Sequence, residues 1–172
     1  MKSLKIGEVS LRHFKESDAK PYFESFDEWA KKCMFFVPKN KQETKKKIRE
    51  YLKEYKIPAS KRKIDAFVIE FKGEFAGFMI ARKIIYKHQA RTTSLIKKEF
   101  RGKGIATKAH KILNPYIFKK YKLKRMDAGV RTYNKASVKM LEKSGYQLEG
   151  CLRKIICVDG KYYDNYIYSI IK

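Results

Sequence analysis

The spacing of apolar residues divides the chain into predicted strands and helices. Residues Glu8–Phe14 alternate with a period of two, which indicates a strand. Ser17 and Asp18 follow, and both residue types favour the N-cap position, so a short helix is predicted after them. In Lys41–Lys56 the apolar residues recur at helical spacing along one face of a strongly basic segment, and Pro58 ends this helical region.

The second half of the chain is predicted to alternate between strands and helices. The apolar runs that indicate strands are Ile64–Phe71, Phe75–Ile85, Ala90–Lys97, Arg125–Thr132, Tyr146–Val158 and Tyr162–Ile171. The first two form a hairpin through Gly73, and the last two form one about Asp159 and Gly160. Helices are predicted over Ile105–Tyr121 and from Asn134 to Gly145. Hairpins at both ends with a strand-helix-strand crossover between them predict an α/β fold, a mixed sheet with helices on both faces.

The composition predicts one intracellular domain over residues 1–172. A 44% hydrophobic content with 12 Tyr and 11 Phe is enough to fill a core. Met1–Val9 lacks the apolar centre of a secretory signal, and no run approaches the ~20 residues that span a bilayer, so a cytoplasmic location is expected. Cys33, Cys151 and Cys157 lack metal-ligand spacing and are interpreted as buried or incidental thiols, so no metal is expected.

The loop before the second long helix has the character of an anion-binding cradle. Gly102 and Gly104 carry no Cβ to block the backbone N–H groups, and the helix from Ile105 directs its positive dipole end toward the same place. Arg101 and Lys103 add positive charge there. Glycines before a helix also make ordinary turns, so this segment alone leaves both interpretations open.

A second motif lies some thirty residues downstream. It consists of Asn134, Ser137, Leu141, Glu142, Gly145, Tyr146, Glu149 and Gly150, with Asp159-Gly160 and Asp164 after it. With the loop at residues 101–106, which matches an Arg/Gln-x-x-Gly-x-Gly/Ala pyrophosphate loop, the chain resembles the Gcn5-related N-acetyltransferases (GNAT), in particular their ribosomal-protein N-terminal acetyltransferase branch. The resemblance spans roughly the whole chain and is strongest over residues 91–168.

This resemblance implies a mostly antiparallel sheet of about seven strands, with one pair of strands splayed apart for acetyl-CoA. It assigns acetyl-CoA binding to Ser94, Leu95, Ile96, Arg101, Gly102, Lys103, Gly104, Ile105, Ala106, Thr107 and Asn134. The pantetheine arm is expected to pair with the backbone at 94–96, and the diphosphate to lie at 102–107. A backbone N–H near Leu95 or Ile96 would polarise the thioester oxygen, which is usually worth ~3 kcal/mol per donor.

The resemblance also suggests catalytic residues. Asn134 would hold the pantetheine arm or the departing sulfur, although an Asn here also suits a helix N-cap. Many relatives have a Tyr as the acid where this chain has Leu141. In the ribosomal-protein branch a Ser one turn earlier has this role, and Ser137 occupies that position; its alternative is a helix residue beside the cofactor.

No carboxylate stands where relatives keep a general base. The corresponding positions hold Arg91, Gly129 and Ile156. Asp127 and Asp164 lie nearby in sequence and would act only through water, and both are better explained as structural, with Asp164 binding backbone near the sheet end.

A site without a strong base favours an α-amine acceptor. Peptide α-amines have a pKa of about 8 and lysine ε-amines of about 10.4, so the former are more often neutral near pH 7. Glu24, Asp27 and Glu28 are predicted to share a helix face beside Trp29, in the substrate wall of relatives. The hypothesis is that this acidic patch attracts the acceptor amine and that Trp29 also belongs to the substrate-binding site; the alternative is a surface patch without that role.

The formal net charge of +24 bears on partners. The surplus lies largely in residues 39–63 and 108–124, which suggests a ribosome, another nucleic-acid-rich target or an acidic protein tail. A lysine-rich but ordinary surface is the alternative. A homodimer through exposed strand edges is also compatible with the sequence.

The sequence therefore predicts an N-acetyltransferase that transfers acetyl directly from acetyl-CoA to a protein N-terminal α-amine. Two alternatives stay open. One is an acetyltransferase for a small-molecule amine such as a polyamine or an antibiotic. The other is a non-catalytic module that binds acyl-CoA, RNA or the ribosome.

Overall fold

The computed structural model describes residues 4–34, 36–158 and 160–172, which form one eight-stranded sheet with helices on both faces. The strands are β1 (Leu4–Ile6), β2 (Val9–Arg12), β3 (Ile64–Phe71), β4 (Glu74–Ile85), β5 (Gln89–Ile96), β6 (Arg125–Arg131), β7 (Gln147–Val158) and β8 (Lys161–Ile171). Their spatial order is β1-β2-β3-β4-β5-β6-β8-β7. β5 and β6 are parallel, and the other neighbouring pairs are antiparallel. The predicted mixed, mostly antiparallel sheet is confirmed.

The described sheet exceeds the predicted number of about seven strands because the N-terminal segment folds as a hairpin. Gly7 has a φ of +58°, a left-handed conformation that glycine adopts readily, and it turns β1 back onto β2. Leu4 lies opposite Leu11, and β2 in turn pairs with β3. The predicted strand Glu8–Phe14 therefore corresponds to β2 alone.

Five α-helices cover the sheet in the described ranges: α1 (Ala19–Glu24), α2 (Glu28–Cys33), α3 (Lys41–Glu54), α4 (Ile105–Tyr121) and α5 (Lys135–Lys143). The predicted capping role of Asp18 applies to the 3-10 turn Glu16–Asp18 that leads into α1, where its carboxylate accepts from the Lys15 N–H at 2.7 Å. Asp18 makes no side-chain cap to α1 itself, and its carboxylate also accepts two hydrogen bonds from Arg12, at 2.7 and 2.9 Å. Gly145 ends α5 with a φ of +87°, as predicted.

The two faces of the sheet carry separate hydrophobic clusters. On one face α4 contributes Ile105, Leu113 and Ile117 to a cluster with β-strand residues such as Phe67 and Met79. The other face packs against α1, α2 and α3, through side chains that include Tyr22, Ala30, Tyr51, Phe78 and Leu95. Because side chains alternate along a strand, neighbouring residues of β5 face opposite helical layers.

β5 and β6 separate in the middle of the sheet. Their parallel pairing runs from Gln89 opposite Arg125 to Thr92 opposite Ala128 and ends there. β5 nevertheless continues to Ile96, still paired with β4. The predicted splayed pair is therefore present, and it opens a gap in the sheet at the end of β5.

β7 forms one edge of the sheet and is exposed along most of its length. Leu148, Leu152 and Ile155 are each about half exposed on it. Cys151 and Cys157 are also exposed on this edge strand, so of the two predicted interpretations, buried or incidental thiols, the buried one is excluded for these two residues. Gly160 has a left-handed φ of +73° in the predicted hairpin turn, whereas Asp159 lies outside the described residues.

Neither a membrane-spanning helix nor a metal-binding cluster is present in the described residues. None of the helices within 4–34, 36–158 and 160–172 is both long and apolar enough to cross a bilayer. The same ranges hold no group of three or more His, Cys, Asp or Glu side chains arranged to bind a metal ion.

Candidate functional site

A cavity of about 410 Å³ lies where β5 and β6 separate. Twelve of the predicted site residues line it: Trp29, Ser94, Leu95, Ile96, Arg101, Gly102, Gly104, Ile105, Ala106, Thr107, Asn134 and Ser137. Glu24, Asp27, Glu28 and Lys103 are not among its lining residues. Residues far apart in sequence are thus brought to one cleft by the strand separation.

The glycine loop opens onto this cavity. Gly102 and Gly104 have φ values of +78° and +69°, in the left-handed region that favours glycine. A Cβ built at either position would meet no atom within 4 Å, so the space in front of the loop is open. Gly104 is the N-cap of α4 and makes no side-chain cap, which leaves the first N–H groups of the helix for a ligand. A diphosphate fits this donor set.

Arg101 ties the glycine loop to helix α2. Its Nε donates to the Ile96 carbonyl at 3.0 Å, and its two terminal nitrogens donate to the Asp27 carboxylate at 2.8 and 2.9 Å. These hydrogen bonds lower the pKa of Asp27 below its usual value. Asp27 also caps α2 by accepting from the Ala30 N–H at 2.9 Å. The arginine expected to face a phosphate therefore also holds a carboxylate.

The predicted single helix face for the acidic residues is wrong. α1 ends at Glu24, and α2 begins only at Glu28, after Asp27 has turned the chain as its N-cap. Glu28 is exposed and pairs with Lys31 at 2.6 Å. Trp29 does reach the cavity, where its ring packs edge-on against Tyr133 at a centroid distance of 5.8 Å.

The backbone of β5 can be oriented from two contacts with β4. The Lys97 N–H donates to the Ala76 carbonyl at 2.9 Å, and a Cβ on Gly77 would overlap the Leu95 carbonyl oxygen. Lys97 and Leu95 thus direct their backbone groups to β4. Because alternate residues of a strand point theirs in opposite directions, those of Ser94 and Ile96 face the gap. Of the two residues predicted to supply an oxyanion donor, Ile96 is the one oriented for it.

A buried polar pair at the cavity was missed by the sequence reasoning. The Ser94 Oγ lies 3.1 Å from the Nε2 of His110, which is 1% exposed on α4. Burial lowers the pKa of His110 to about 4, so its imidazole is neutral near pH 7. Deeper in the same layer the Tyr146 hydroxyl donates to Asn114 at 3.2 Å. A lone His on an apolar helix face carried no sequence signal that would have paired it with Ser94.

Asn134 and Ser137 lie side by side at the start of α5. The Asn134 Oδ1 accepts from the Ser137 N–H at 3.1 Å, which confirms the N-cap alternative for Asn134. Its Nδ2 lies 3.6 Å from the Cys33 sulfur, which also lines the cavity. Leu141 is 2% exposed one turn after Ser137, so the usual tyrosine position holds an apolar side chain.

The two carboxylates considered as indirect bases are engaged elsewhere. Asp127 pairs with Arg125 at 2.6 Å, and Asp164 accepts from the Lys154 N–H at 2.8 Å. The prediction that Asp164 binds backbone is confirmed. Among the described residues that line the cavity there is neither an Asp nor a Glu.

Basic side chains dominate the charge of the cavity, and the sequence reasoning singled out only part of them. Those lining it are Arg82, Arg91, Arg101, Arg131, Lys139 and Lys143. Arg131 is 4% exposed at the end of β6 and donates to the Asn165 Oδ1 at 3.0 Å. Arg82 and Arg91 lie directly opposite each other on β4 and β5. The register of these strands, which places the two arginines together, could not be read from the sequence.

Comparison with known proteins gives a family and several relatives. Residues 8–147 match the family model described as "Acetyltransferase (GNAT) domain". The spermidine N(1)-acetyltransferase of Escherichia coli K12 is 32% identical over 97 residues, which is 56% of this chain and 52% of that protein. The chain matches only about half of the length of such curated relatives.

Two solved structures share the fold over nearly the whole chain. One is a Salmonella typhimurium acetyltransferase that modifies the N-terminal serine of a 50S ribosomal subunit protein, with a TM-score of 0.86, 19% identity and 99% of each chain covered. The other is a ribosomal-protein α-N-acetyltransferase in complex with coenzyme A, with a TM-score of 0.80, 20% identity and coverage of 99% and 98%. The family match spans most of the sequence, and the chain belongs to the GNAT acetyltransferase family.

Proposed function

We propose that this protein is an N-acetyltransferase that transfers acetyl directly from acetyl-CoA to a protein N-terminal α-amine. The observation that carries the proposal is one cavity that joins the open glycine loop to the end of β5, where this strand no longer pairs with β6. A diphosphate at the loop and an extended arm along β5 would bring a thioester to the strand separation. The family membership and the coenzyme A complex of a structural relative support this placement.

The chain's own groups then have defined tasks. The N–H groups at the start of α4, with Gly102 and Gly104, hold the diphosphate. The Ile96 N–H, which faces the gap, stabilises the negative charge that develops on the thioester oxygen, an effect usually worth ~3 kcal/mol. Acetyl-CoA supplies the acyl group and a thiolate leaving group.

A residue of α5 is proposed to protonate the coenzyme A sulfur. Ser137 lines the cavity, and its hydroxyl is proposed to donate a proton to the departing thiolate. The proton that the attacking amine loses as the amide forms passes to solvent water, and a proton returned through water restores the Ser137 hydroxyl. Asn134 fixes the first turn of α5 by accepting from the Ser137 N–H, and, as a residue that lines the cavity, it is proposed to position the pantetheine arm.

An α-amine is favoured over an ε-amine as the acceptor. The described cavity lining contains no carboxylate to remove a proton, so the acceptor must arrive neutral. An α-amine with a pKa of about 8 meets this condition far more often near pH 7 than an ε-amine with a pKa of about 10.4. The neighbouring arginines disfavour the ammonium form further.

A small-amine acceptor is the second candidate, because the spermidine acetyltransferase is one of the relatives. The cavity argues against a polyamine. Six basic side chains and no acidic one among its described lining residues would repel a molecule with several ammonium groups.

Two further partners belong to the proposal. The net charge of +24 supports association with a ribosome or an acidic protein. The exposed apolar residues of β7 support a homodimer through that edge strand, which sedimentation velocity would test.

The decisive experiment measures coenzyme A release with three acceptor pools: peptides with free α-amines, the same peptides with blocked α-amines and free lysines, and polyamines. We expect release with the first pool only. Release with polyamines alone would replace the proposal by the second candidate. Acetyl-CoA binding without release for any pool would indicate a non-catalytic acyl-CoA-binding module.

A further inference from the structure

Two arginines lie together on one side of the cavity. Arg82 on β4 and Arg91 on β5 are cross-strand partners, and both line the cavity. Arg82 lies two residues after Ile80 on β4, and Arg91 lies four residues before Leu95 on β5. Residues an even number apart on a strand share a face, and Ile80 and Leu95 belong to the cluster under α1–α3, so both arginines lie on that face of the sheet. The glycine loop and His110 lie toward the α4 face, where the diphosphate is expected. The arginine pair is therefore on the opposite side of the strand gap.

The two arginines place like charges at facing positions of β4 and β5. Like charges directly opposite each other on neighbouring strands repel, and both side chains are only partly exposed. Burial, followed by the charge of Arg91, lowers the pKa of Arg82. The Arg82 Nε donates to the Thr93 hydroxyl at 3.2 Å, which fixes its stem beside Arg91. An anion between two guanidinium groups would relieve this repulsion and form charge-assisted hydrogen bonds.

The distance of the arginine pair from the strand gap determines which residue of an acceptor peptide could supply this anion. Arg91 precedes Ser94 by three residues of an extended strand, a separation of roughly 10 Å along β5. An arginine side chain spans part of that distance. In an extended peptide whose α-amine lies at the gap, the side chains of the second and third residues fall in this range.

We propose that Arg82 and Arg91 form a carboxylate-binding subsite that selects acceptor peptides with Asp or Glu at the second or third position. This inference rests on the proposed function and narrows its substrate class. The acidic side chain is held by the arginine pair while the neutral α-amine lies at the strand gap. The cavity thereby uses an anion of the acceptor to balance its own positive charge.

The test compares three peptides that differ only at position 2, as Ser-Asp, Ser-Asn and Ser-Arg, none of which carries a lysine. We expect the Ser-Asp peptide to exceed the Ser-Asn peptide in kcat/KM by about tenfold or more, because hydrogen bonds between two charged groups are stronger than those to a neutral amide. Arg91→Gln should bring the ratio of the two kcat/KM values close to one. Arg91→Glu should make the Ser-Arg peptide the best acceptor.

Arg49→Gln is the matched control. Arg49 is an exposed arginine on α3 outside the cavity lining, so its loss changes the net charge equally and should leave the ratio intact. An equal rate for the Ser-Asp and Ser-Asn peptides in the parent protein would overturn the inference. So would a preference that survives in both Arg82→Gln and Arg91→Gln.

The proposed function and the subsite fail in different ways. If no peptide is acetylated, the proposed function fails, and calorimetry with N-acetylated Ser-Asp and Ser-Asn peptides then tests the subsite alone. Tighter binding of the Asp peptide that Arg91→Gln abolishes would support the subsite, and equal binding would refute it. Thermal melts of each variant identify any that fails to fold, and the parent protein's own peptide preference remains decisive in that case.

Discussion

Arg101 in the glycine loop and Asp27 at the start of α2 form a two-point ion pair, with N–O distances of 2.8 and 2.9 Å. The two residues are 74 positions apart, and the sequence assigned them to different sites. Their contact links the segment that carries Trp29 to the loop that opens onto the cofactor side of the cavity. A ligand that binds the Arg101 guanidinium would compete with Asp27 for it and so affect the position of α2.

Asp27→Asn removes the ion pair with Arg101 and keeps the helix cap, because Asn caps a helix as well as Asp does. We expect a loss of about 1 kcal/mol in the free energy of unfolding, a small value because both side chains are partly exposed. The folded-state pKa of Asp27 is lowered, so this contribution is complete above about pH 4 and is lost as the pH falls toward the folded pKa. Urea unfolding of the parent and Asp27→Asn proteins at pH 7 and pH 3 measures both effects. A difference that stays constant over this range would contradict the pairing.

Gly104→Val should weaken acetyl-CoA binding by about tenfold or more, since a branched side chain would fill the open space in front of the first N–H groups of α4. The matched control is Gly73→Val, because Gly73 also has a left-handed φ, +84°, but lies in the β3–β4 hairpin outside the cavity lining. Both variants carry the same type of backbone strain. Calorimetry with acetyl-CoA should show weaker binding for Gly104→Val alone, and equal losses in the two variants would contradict the cradle.

Local sequence patterns predicted the helices and strands of this fold well, but they did not predict the register between neighbouring strands. The strand Ile64–Phe71 and the helix Ile105–Tyr121 were predicted with the observed bounds, because apolar periodicity and glycine positions are local signals. The opposition of Arg82 and Arg91 depends on the register of β4 against β5. Such register is decided by packing across the whole sheet, so a single sequence does not display it.

The same limit explains the errors at the candidate site. Glu24, Asp27 and Glu28 have helical spacing, but Asp favours the N-cap position over the interior of a helix. Asp27 therefore caps a new helix, and the segment is divided into α1 and α2. Ser94 and His110 meet because α4 packs on one face of β5. Sequence reasoning located the residues near the glycine loop and could not identify partners that arrive from other layers.

His110 should make the protein sensitive to mild acid. Its folded pKa of about 4 lies below the unfolded value of about 6.5, so the unfolded chain binds more protons between these values. The associated stability is complete above pH 6.5 and falls by on the order of 3 kcal/mol as the pH drops to 4. His110→Gln should flatten this part of the pH dependence in urea unfolding, and His88→Gln, at an exposed turn, should leave it unchanged. An unchanged slope in His110→Gln would contradict a neutral buried imidazole.

Ser137→Ala should lower kcat by about tenfold or more and leave the KM for acetyl-CoA nearly unchanged, since general acids typically contribute 10²–10⁴-fold and a thiolate needs less assistance than most leaving groups. Ser144→Ala is the control, because Ser144 caps the end of the same helix by donating to the Met140 carbonyl and is not itself among the residues that line the cavity. Steady-state kinetics with one saturating peptide separates the two parameters. A Ser137→Ala protein with full kcat would remove Ser137 as the proton donor.

The acceptor amine itself should set the pH dependence of the reaction. The described cavity lining offers no carboxylate, and the low pKa of His110 leaves this imidazole unable to titrate near neutrality. The logarithm of kcat/KM should then rise with unit slope and level off near the pKa of the acceptor, about 8 for a peptide α-amine. Peptides whose α-amines differ in pKa should shift this inflection in parallel, as a series of pH profiles would show. An inflection that stays at one pH for every peptide would instead reveal a titrating base on the protein.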